Sequence, residues 1–290
     1  MKQLKTPLSW SGGKNLLKRK LVSMFPPHDV YAEPFLGAGH LLFYKPISRW
    51  EWVNDRDDLL INLWQVLKDP ILNKEMIEFL NLHPKSRTLF YEYRKKLSSF
   101  EEYSKLSPVV KASMAYFIMK SAYGGNQCFS GKESWGFSPA IDKMQGFYGT
   151  AWEIVFTRLK DVNIENRDFR EFIKLFVRWY KKKHRSEQIF MYLDPPYFCK
   201  KDNWGVEYRF SFTPSDHEDL ARILRELPFK YMLSIDDTPD AHALYAGKNV
   251  FVKKVTTHYS SNNSRKKQTT AAELVITNYA TAEQKQLISL

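Results

Sequence analysis

Five consecutive apolar residues, Ile189-Phe190-Met191-Tyr192-Leu193, stop abruptly at Asp194-Pro195-Pro196-Tyr197. The apolar run reads as a buried strand. Its exit is hard to explain as packing alone. Two prolines remove two backbone donors, stiffen the segment and leave carbonyl oxygens free to accept. Asp194 adds a carboxylate and Tyr197 a stacking face. Two acceptors beside an aromatic plate suit an exocyclic amine on a planar base, the alternative being a rigid strand-to-loop exit with no ligand.

Elements of both kinds alternate around this run. Lys14 to Phe25 carries Leu16, Leu17, Leu21 and Met24 at helical spacing and stops at Pro26-Pro27. Val30 to Ala32 reads as a strand, His40 to Tyr44 as a helix, and Trp52-Val53 as a strand closing on Asn54-Asp55. A long helical region follows, about 58 to 121, with breaks expected near Pro70 and Pro84. From 122 to 149, glycine, serine and aromatic residues predict loops or a hairpin. Alternation then returns: a helix near 150–160, a strand at Val162 to Ile164, a helix over 169–182 and the Ile189 to Leu193 strand. Thr213-Pro214-Ser215-Asp216 has the composition of a helix start, with Thr213 as cap and Asp216 placed to reach back. Strands are expected at Tyr231 to Ile235, Val250 to Val255 and Glu273 to Thr277. Strand–helix alternation on both sides of an irregular middle predicts an α/β sheet domain, 1–65 with 150–290, and an inserted module over 66–149.

Charge narrows the partner. Lys and Arg number 44 against 32 Asp and Glu, a net charge of +12. Six basic residues precede the first acid, Asp29, and six more lie between Asp240 and Glu273 with no acid among them. These two stretches equal the whole net charge, and the window from Lys105 to Lys132 is also free of acids. A polyanion, most commonly nucleic acid, is the expected partner; a basic surface serving solubility is the alternative. The apolar run Ala112 to Met119 is broken by Lys120, far short of a membrane span. With no signal-like N-terminus and Cys128 and Cys199 as the only cysteines, a reduced, cytoplasmic protein is expected.

Three further segments carry candidate chemistry. Phe35-Leu36-Gly37-Ala38-Gly39 follows a strand, and a glycine turn there lets backbone approach a ligand closely; a plain strand–helix turn is the alternative. It is not the dinucleotide fingerprint, whose third glycine would fall at Leu42. Asp55 ends the next strand, where nucleotide-binding α/β folds hold a ribose, although Asp57 and Asp58 beside it also suit a helix start. Trp10-Ser11-Gly12-Gly13-Lys14 is not a phosphate loop, because Leu8 and Asn15 occupy positions that motif reserves for Gly and Ser/Thr. It presents an indole and an ammonium at a helix start.

Taken in order, Trp10 to Lys14, Phe35 to Gly39, Asn54-Asp55 and Asp194 to Tyr197 resemble the Dam-like (D12 class, alpha-group) S-adenosylmethionine-dependent DNA adenine-N6 methyltransferases over nearly the whole chain. The resemblance implies a Rossmann-like methyltransferase sheet with helices on both faces and a mainly helical target-recognition insertion with a hairpin. It implies methyl transfer from S-adenosylmethionine, leaving S-adenosylhomocysteine, to adenine N6 in double-stranded DNA, with the base flipped out of the duplex. Asp194, Pro195, Pro196 and Tyr197 would then be catalytic. Trp10, Lys14, Phe35, Gly37, Gly39, Asp55, Asp168, Phe169 and Asp194 would line the cofactor. Asn126, Gln127 and Lys132 would reach base edges, since Asn and Gln can pair with adenine in the major groove. Ser261, Asn262, Arg265, Lys266 and Lys267 would track phosphates. The chain departs from the family in its middle region, where Ala122 to Cys128 stands in place of an arginine-rich stretch and no arginine occurs from 95 to 157. The resemblance therefore extends to fold and chemistry, not to a target sequence.

No metal is expected: His217 lies among Asp216, Glu218 and Asp219, which reads as an acidic helix start, and His28, His40 and His258 are isolated. A monomer is expected, and a restriction–modification context is consistent with the family. An adenine-N6 methyltransferase acting on RNA and an inactive DNA-binding module are the competing readings.

Overall fold

The computed structural model describes residues 4–8, 14–122, 136–138, 152–183, 188–198, 210, 212–259 and 269–281. Among them, β1 (Val30–Glu33), β2 (Trp50–Asn54), β3 (Val162–Glu165), β4 (Ile189–Leu193), β5 (Lys230–Asp236), β6 (Phe251–Tyr259) and β7 (Thr269–Thr277) form one sheet. Its order is β3-β2-β1-β4-β5-β7-β6. The first five strands of that order run parallel, and β7 is antiparallel to both β5 and β6. This is the Rossmann-like methyltransferase sheet that the resemblance implies.

The apolar runs follow from a sheet covered on both faces. Successive side chains of a strand point to opposite sides. Accordingly Tyr31, Phe190 and Tyr192 enter one core, and Val30, Ala32, Ile189, Met191 and Leu193 enter the other. Every residue of β1 and β4 is buried. Helices α1 (Lys18–Ser23), α2 (His40–Tyr44), α3 (Asp58–Lys68) and α8 (Trp152–Leu159) contribute to the first core. Helices α9 (Phe169–Lys183), α10 (Pro214–Arg225) and α11 (Pro239–Tyr245) contribute to the second. The Thr213–Asp216 capping box forms as expected. The short helix α11 escapes the sequence reading, and α1 begins at Lys18 instead of Lys14.

The long helical region is cut more often than the two breaks expected near Pro70 and Pro84: a further stop lies at Ser99, and another at Ser107, where Pro108 opens the next helix. The region comprises α3, α4 (Pro70–Leu82), α5 (Arg87–Ser98), α6 (Phe100–Lys105) and α7 (Pro108–Ser121). Asp69 caps α4 with Pro70 in its first turn. Ser86, Ser99 and Ser107 each accept a backbone N–H at the next three starts. Short polar side chains satisfy the orphan donors of a helix start, so each offers the chain an exit from continuous helix. Helix α7 is buried nearly all round from Ala112 to Met119 and packs against α3, α4 and α5. An apolar girdle of this kind marks an internal helix, consistent with its lack of a polar face.

One buried ionic group ties α2, β2 and α8 together. Glu51 receives Lys45 Nζ at 2.5 Å and Arg158 Nη1 at 2.5 Å, with side-chain exposures of 0–3%. Arg158 also donates to the Leu42 carbonyl, through Nε at 3.1 Å and Nη2 at 2.6 Å. Removing one member of such a group leaves a buried charge short of its partners. Arg158→Ala is expected to lower stability by about 3 kcal/mol or more in urea unfolding. The triple replacement Lys45→Met, Glu51→Leu, Arg158→Met should recover much of that loss, because it removes the buried charges altogether.

Candidate active site

In this strand order the chain leaves β1 toward β2 on one side, whereas β4 lies on the other and leads to β5. The carboxyl ends of β1 and β4 therefore flank the topological switch point, where open α/β sheets bind ligands. Glu33-Pro34-Phe35 and the glycine turn leave β1 there, and Asp194-Pro195-Pro196-Tyr197 leaves β4 beside it.

The turn after β1 needs its glycines. Gly37 and Gly39 have φ of 50° and 64°, a left-handed conformation that other residues adopt only at a cost. A Cβ on Gly39 would also meet Trp64 at 3.4 Å. The turn is held from β2: Asp55 Oδ2 accepts from the Gly37 N–H at 2.9 Å, and Oδ1 accepts from the Asp57 N–H at 3.0 Å. Burial nevertheless pushes the Asp55 carboxyl up to about 6. Asn54 joins the neighbouring loops, donating to the Pro34 and Arg167 carbonyls and accepting from the Arg167 N–H.

Beside this turn lies an aromatic slot. The half-buried Phe35 ring stands 5.5 Å from Phe169 and 5.8 Å from Phe212, centroid to centroid. Asp168 accepts from the Arg170 N–H at 2.9 Å, and the Arg170 guanidinium spans Asp168, Asp216 and Asp219. A carboxylate next to a partly open aromatic slot can receive a purine together with its ribose hydroxyls.

The β4 side is a compact charged cluster. Lys14, 4% exposed, places Nζ 2.8 Å from Asp194 Oδ1 and 3.6 Å from Glu273 Oε2. The same ammonium donates to the Tyr197 hydroxyl and lies 4.6 Å from the Tyr197 ring centroid. Ser234 on β5 donates to Asp194 Oδ1 at 3.2 Å, and its oxygen is 2.7 Å from the Tyr192 hydroxyl. Burial raises the Asp194 carboxyl, opposed chiefly by the Lys14 charge. Glu33, at the end of β1, is pushed up to about 8 by burial, opposed by the Tyr31 hydroxyl that donates to it at 2.9 Å.

Behind the Asp-Pro-Pro-Tyr segment, the Phe198 ring stacks on His217 at 3.9 Å, and the Phe198 N–H donates to Asp236 Oδ1 at 3.3 Å. His217 is fully buried, with Nδ1 2.8 Å from the Tyr245 hydroxyl, and burial lowers it to about 4. The sequence reading of this histidine as part of an acidic helix start misses its inward orientation.

Of the expected site residues, Lys14, Phe35, Gly37, Gly39, Asp55, Asp168, Phe169, Asp194, Pro195, Pro196 and Tyr197 lie at this one edge of the sheet. Trp10, Asn126, Gln127, Lys132, Ser261, Asn262, Arg265, Lys266 and Lys267 lie outside the described residues. Sequence reasoning missed Phe212, Ser234 and Glu273. The only signal for Glu273 was an acid at the head of an otherwise apolar strand.

With this geometry in place, the similarity to known proteins is specific. The D12 class N6 adenine-specific DNA methyltransferase family matches residues 10–259. The chain is similar to the Type II methyltransferase M1.LlaDCHI of Lactococcus lactis subsp. cremoris, 23% identical over 283 residues, covering 93% of this chain and 94% of the relative. It is also similar to the Type II methyltransferase M.MjaIII of Methanocaldococcus jannaschii, 26% identical over 281 residues, covering 87% of this chain and 91% of the relative. A family match over most of the chain, on a sheet with this switch-point site, leads to one conclusion: the chain belongs to the D12 class N6 adenine-specific DNA methyltransferases, which transfer a methyl group from S-adenosylmethionine to adenine N6 in DNA.

Proposed function

We propose that the β1 side of the crevice holds S-adenosylmethionine and that the β4 side holds an adenine flipped out of the duplex, with N6 between them. The observation that carries this reading is the meeting of the glycine turn and the Asp194–Tyr197 tip on adjacent strands at the switch point. The residues present suit the cofactor. Asp55 keeps lone pairs for ribose hydroxyls while it holds the turn, and Phe35, Phe169 and Phe212 offer a slot for its adenine. Lys14 and Trp10 would cover its methionine end, and Asp168 would border its base.

When bound, S-adenosylmethionine supplies a methyl group made electrophilic by its sulfonium. The protein's own task is alignment. Asp194 and the Pro195 carbonyl accept the two N6 hydrogens, drawing the nitrogen toward tetrahedral geometry so that its lone pair faces the methyl. Pro196 stiffens the tip, and Tyr197 stacks on the flipped base. An adenine inside a duplex hides N6 in its pair, which is the physical reason for flipping.

We assign target recognition to 66–149, with Asn126, Gln127 and Lys132 at base edges, and phosphate contacts to Ser261, Asn262, Arg265, Lys266 and Lys267. The names of the two Type II relatives support a modification role paired with a restriction enzyme. A monomer suffices for this chemistry.

Three outcomes test these assignments. Asp194→Ala should abolish tritium transfer from labelled S-adenosylmethionine to unmethylated plasmid DNA while the circular dichroism spectrum stays native; near-normal activity refutes the pocket. Asp55→Asn should weaken cofactor binding by roughly ten- to a hundredfold in calorimetry, the scale of hydrogen bonds to a charged group. Because the Asp55 carboxyl is raised to about 6 and must be ionised to accept fully, wild-type affinity should fall as pH drops through that value, whereas the Asn variant stays flat. Replacing Arg265, Lys266 and Lys267 by Ala should flatten the slope of log affinity for DNA against log salt by up to ~3, close to one for each phosphate no longer neutralised; an unchanged slope removes this segment from the interface.

A further inference from the structure

The pocket contains a second carboxylate that the Asp-Pro-Pro-Tyr motif does not account for. Glu273 lies on β7, opposite Asp236 of β5 and Val255 of β6, and is 5% exposed. Strand alternation puts it on the same face as Val275, which enters the core shared with Tyr192. Burying an acid there is costly unless its charge is fully matched, and the match is incomplete. Glu273 Oε2 has no hydrogen-bond partner among the described residues and stands at ion-pair distance, 3.6 Å, from Lys14 Nζ. That ammonium is 2.8 Å from Asp194 Oδ1 and donates to the Tyr197 hydroxyl. Thus two carboxylates from different strands and one phenol converge on a single nitrogen position.

We infer that Glu273 is a second catalytic carboxylate, the acceptor of the proton that N6 releases after methyl transfer. The inference rests on the reading above, in which N6 binds at Asp194, and takes the position of the Lys14 ammonium as the mark of where a nitrogen fits. In the step itself, the N6 lone pair forms a bond to the methyl carbon while the carbon–sulfur bond breaks and its electron pair stays on sulfur. N6 then carries two hydrogens, the methyl and a positive charge. As the nitrogen becomes tetrahedral, the hydrogen first accepted by the Pro195 carbonyl turns to Glu273 Oε2; its N–H electron pair returns to nitrogen as the proton passes, giving a carboxylic acid that loses the proton to water when product leaves. With the Lys14 ammonium displaced by N6 toward the methionine end of the cofactor, Asp194 Oδ1 is still engaged by Ser234, whereas Glu273 Oε2 has acceptor capacity to spare. Two negative charges around one nitrogen also favour the positive charge that develops there. Burial raises the Glu273 carboxyl and so makes it a better proton acceptor than a solvated glutamate. The charged and titratable groups facing it are Lys14, Asp194, Tyr197 and Tyr192, with Asp236 in register on β5.

Single-turnover methylation of unmethylated plasmid DNA at saturating S-adenosylmethionine, measured from pH 5 to 9 for the full-length protein, tests this. Glu273→Gln should slow the step about 100-fold or more, the usual worth of a positioned proton acceptor. Cofactor and DNA affinities should stay within threefold of wild type, and Glu273→Asp should restore part of the rate. The acid limb of the residual Glu273→Gln profile should move to lower pH, because Asp194 loses a neighbouring negative charge. A Glu273→Gln rate within threefold of wild type, with Asp194→Ala inactive, overturns the role of Glu273 and leaves the pocket standing. If both variants stay active, the pocket itself is wrong. A loss confined to cofactor affinity or melting temperature makes Glu273 a structural partner of Lys14 and overturns the proposal. Should Glu273→Gln fail to fold, Glu273→Asp decides: a rate reduced tenfold or more with normal affinities upholds it, and an unchanged rate overturns it.

Discussion

Asp194 is a carboxylate drawn out of water at the mouth of a sheet, and such a charge persists only if its surroundings supply compensation. Lys14 supplies most of it, from a segment 180 residues earlier in the chain, at 2.8 Å. Ser234 adds a hydroxyl from β5, and Tyr197 closes the cluster from the segment after β4. This compensation is partial, because the carboxyl remains raised. An acid held in this state is a ready hydrogen-bond acceptor for an incoming amine, the role proposed for it above.

The sheet makes that compensation geometrically available. Since β1 and β4 are adjacent and parallel, the Gly37–Gly39 turn and the Asp194–Tyr197 tip emerge at the same edge. Asp55 then fixes the turn from β2, while Phe198 anchors the tip to β5 and α10 through Asp236 and His217. Both halves of the crevice are therefore held by elements that also carry the two hydrophobic cores. The proposed alignment of base and cofactor draws on this support.

Much of this was legible in the residue order. The Ile189 to Leu193 run, the His40 to Tyr44 helix and the Thr213–Asp216 cap all formed where local pattern placed them, because each is decided by neighbours a few residues away. The helical breaks at Ser99 and Ser107 were missed: Ser99 is marked only by its cap, whereas Ser107-Pro108 carries a local start signal, a capping serine before a proline, that the reading passed over. The strand containing Glu273 was expected, but it begins four residues earlier than its apolar pattern suggests, at Thr269.

Sequence by itself determined the alternation of strands and helices, the basic character of the chain and the identity of the acidic tip, since these depend on composition and short-range spacing. Only the tertiary structure decided that Lys14, Asp194, Ser234 and Glu273 share one pocket and that Phe212 joins Phe35 and Phe169. Such meetings depend on strand order and on the register of β5 with β7. A shift of one residue would turn Glu273 to the opposite face, and nothing in the local pattern of a single strand records which partner it will meet.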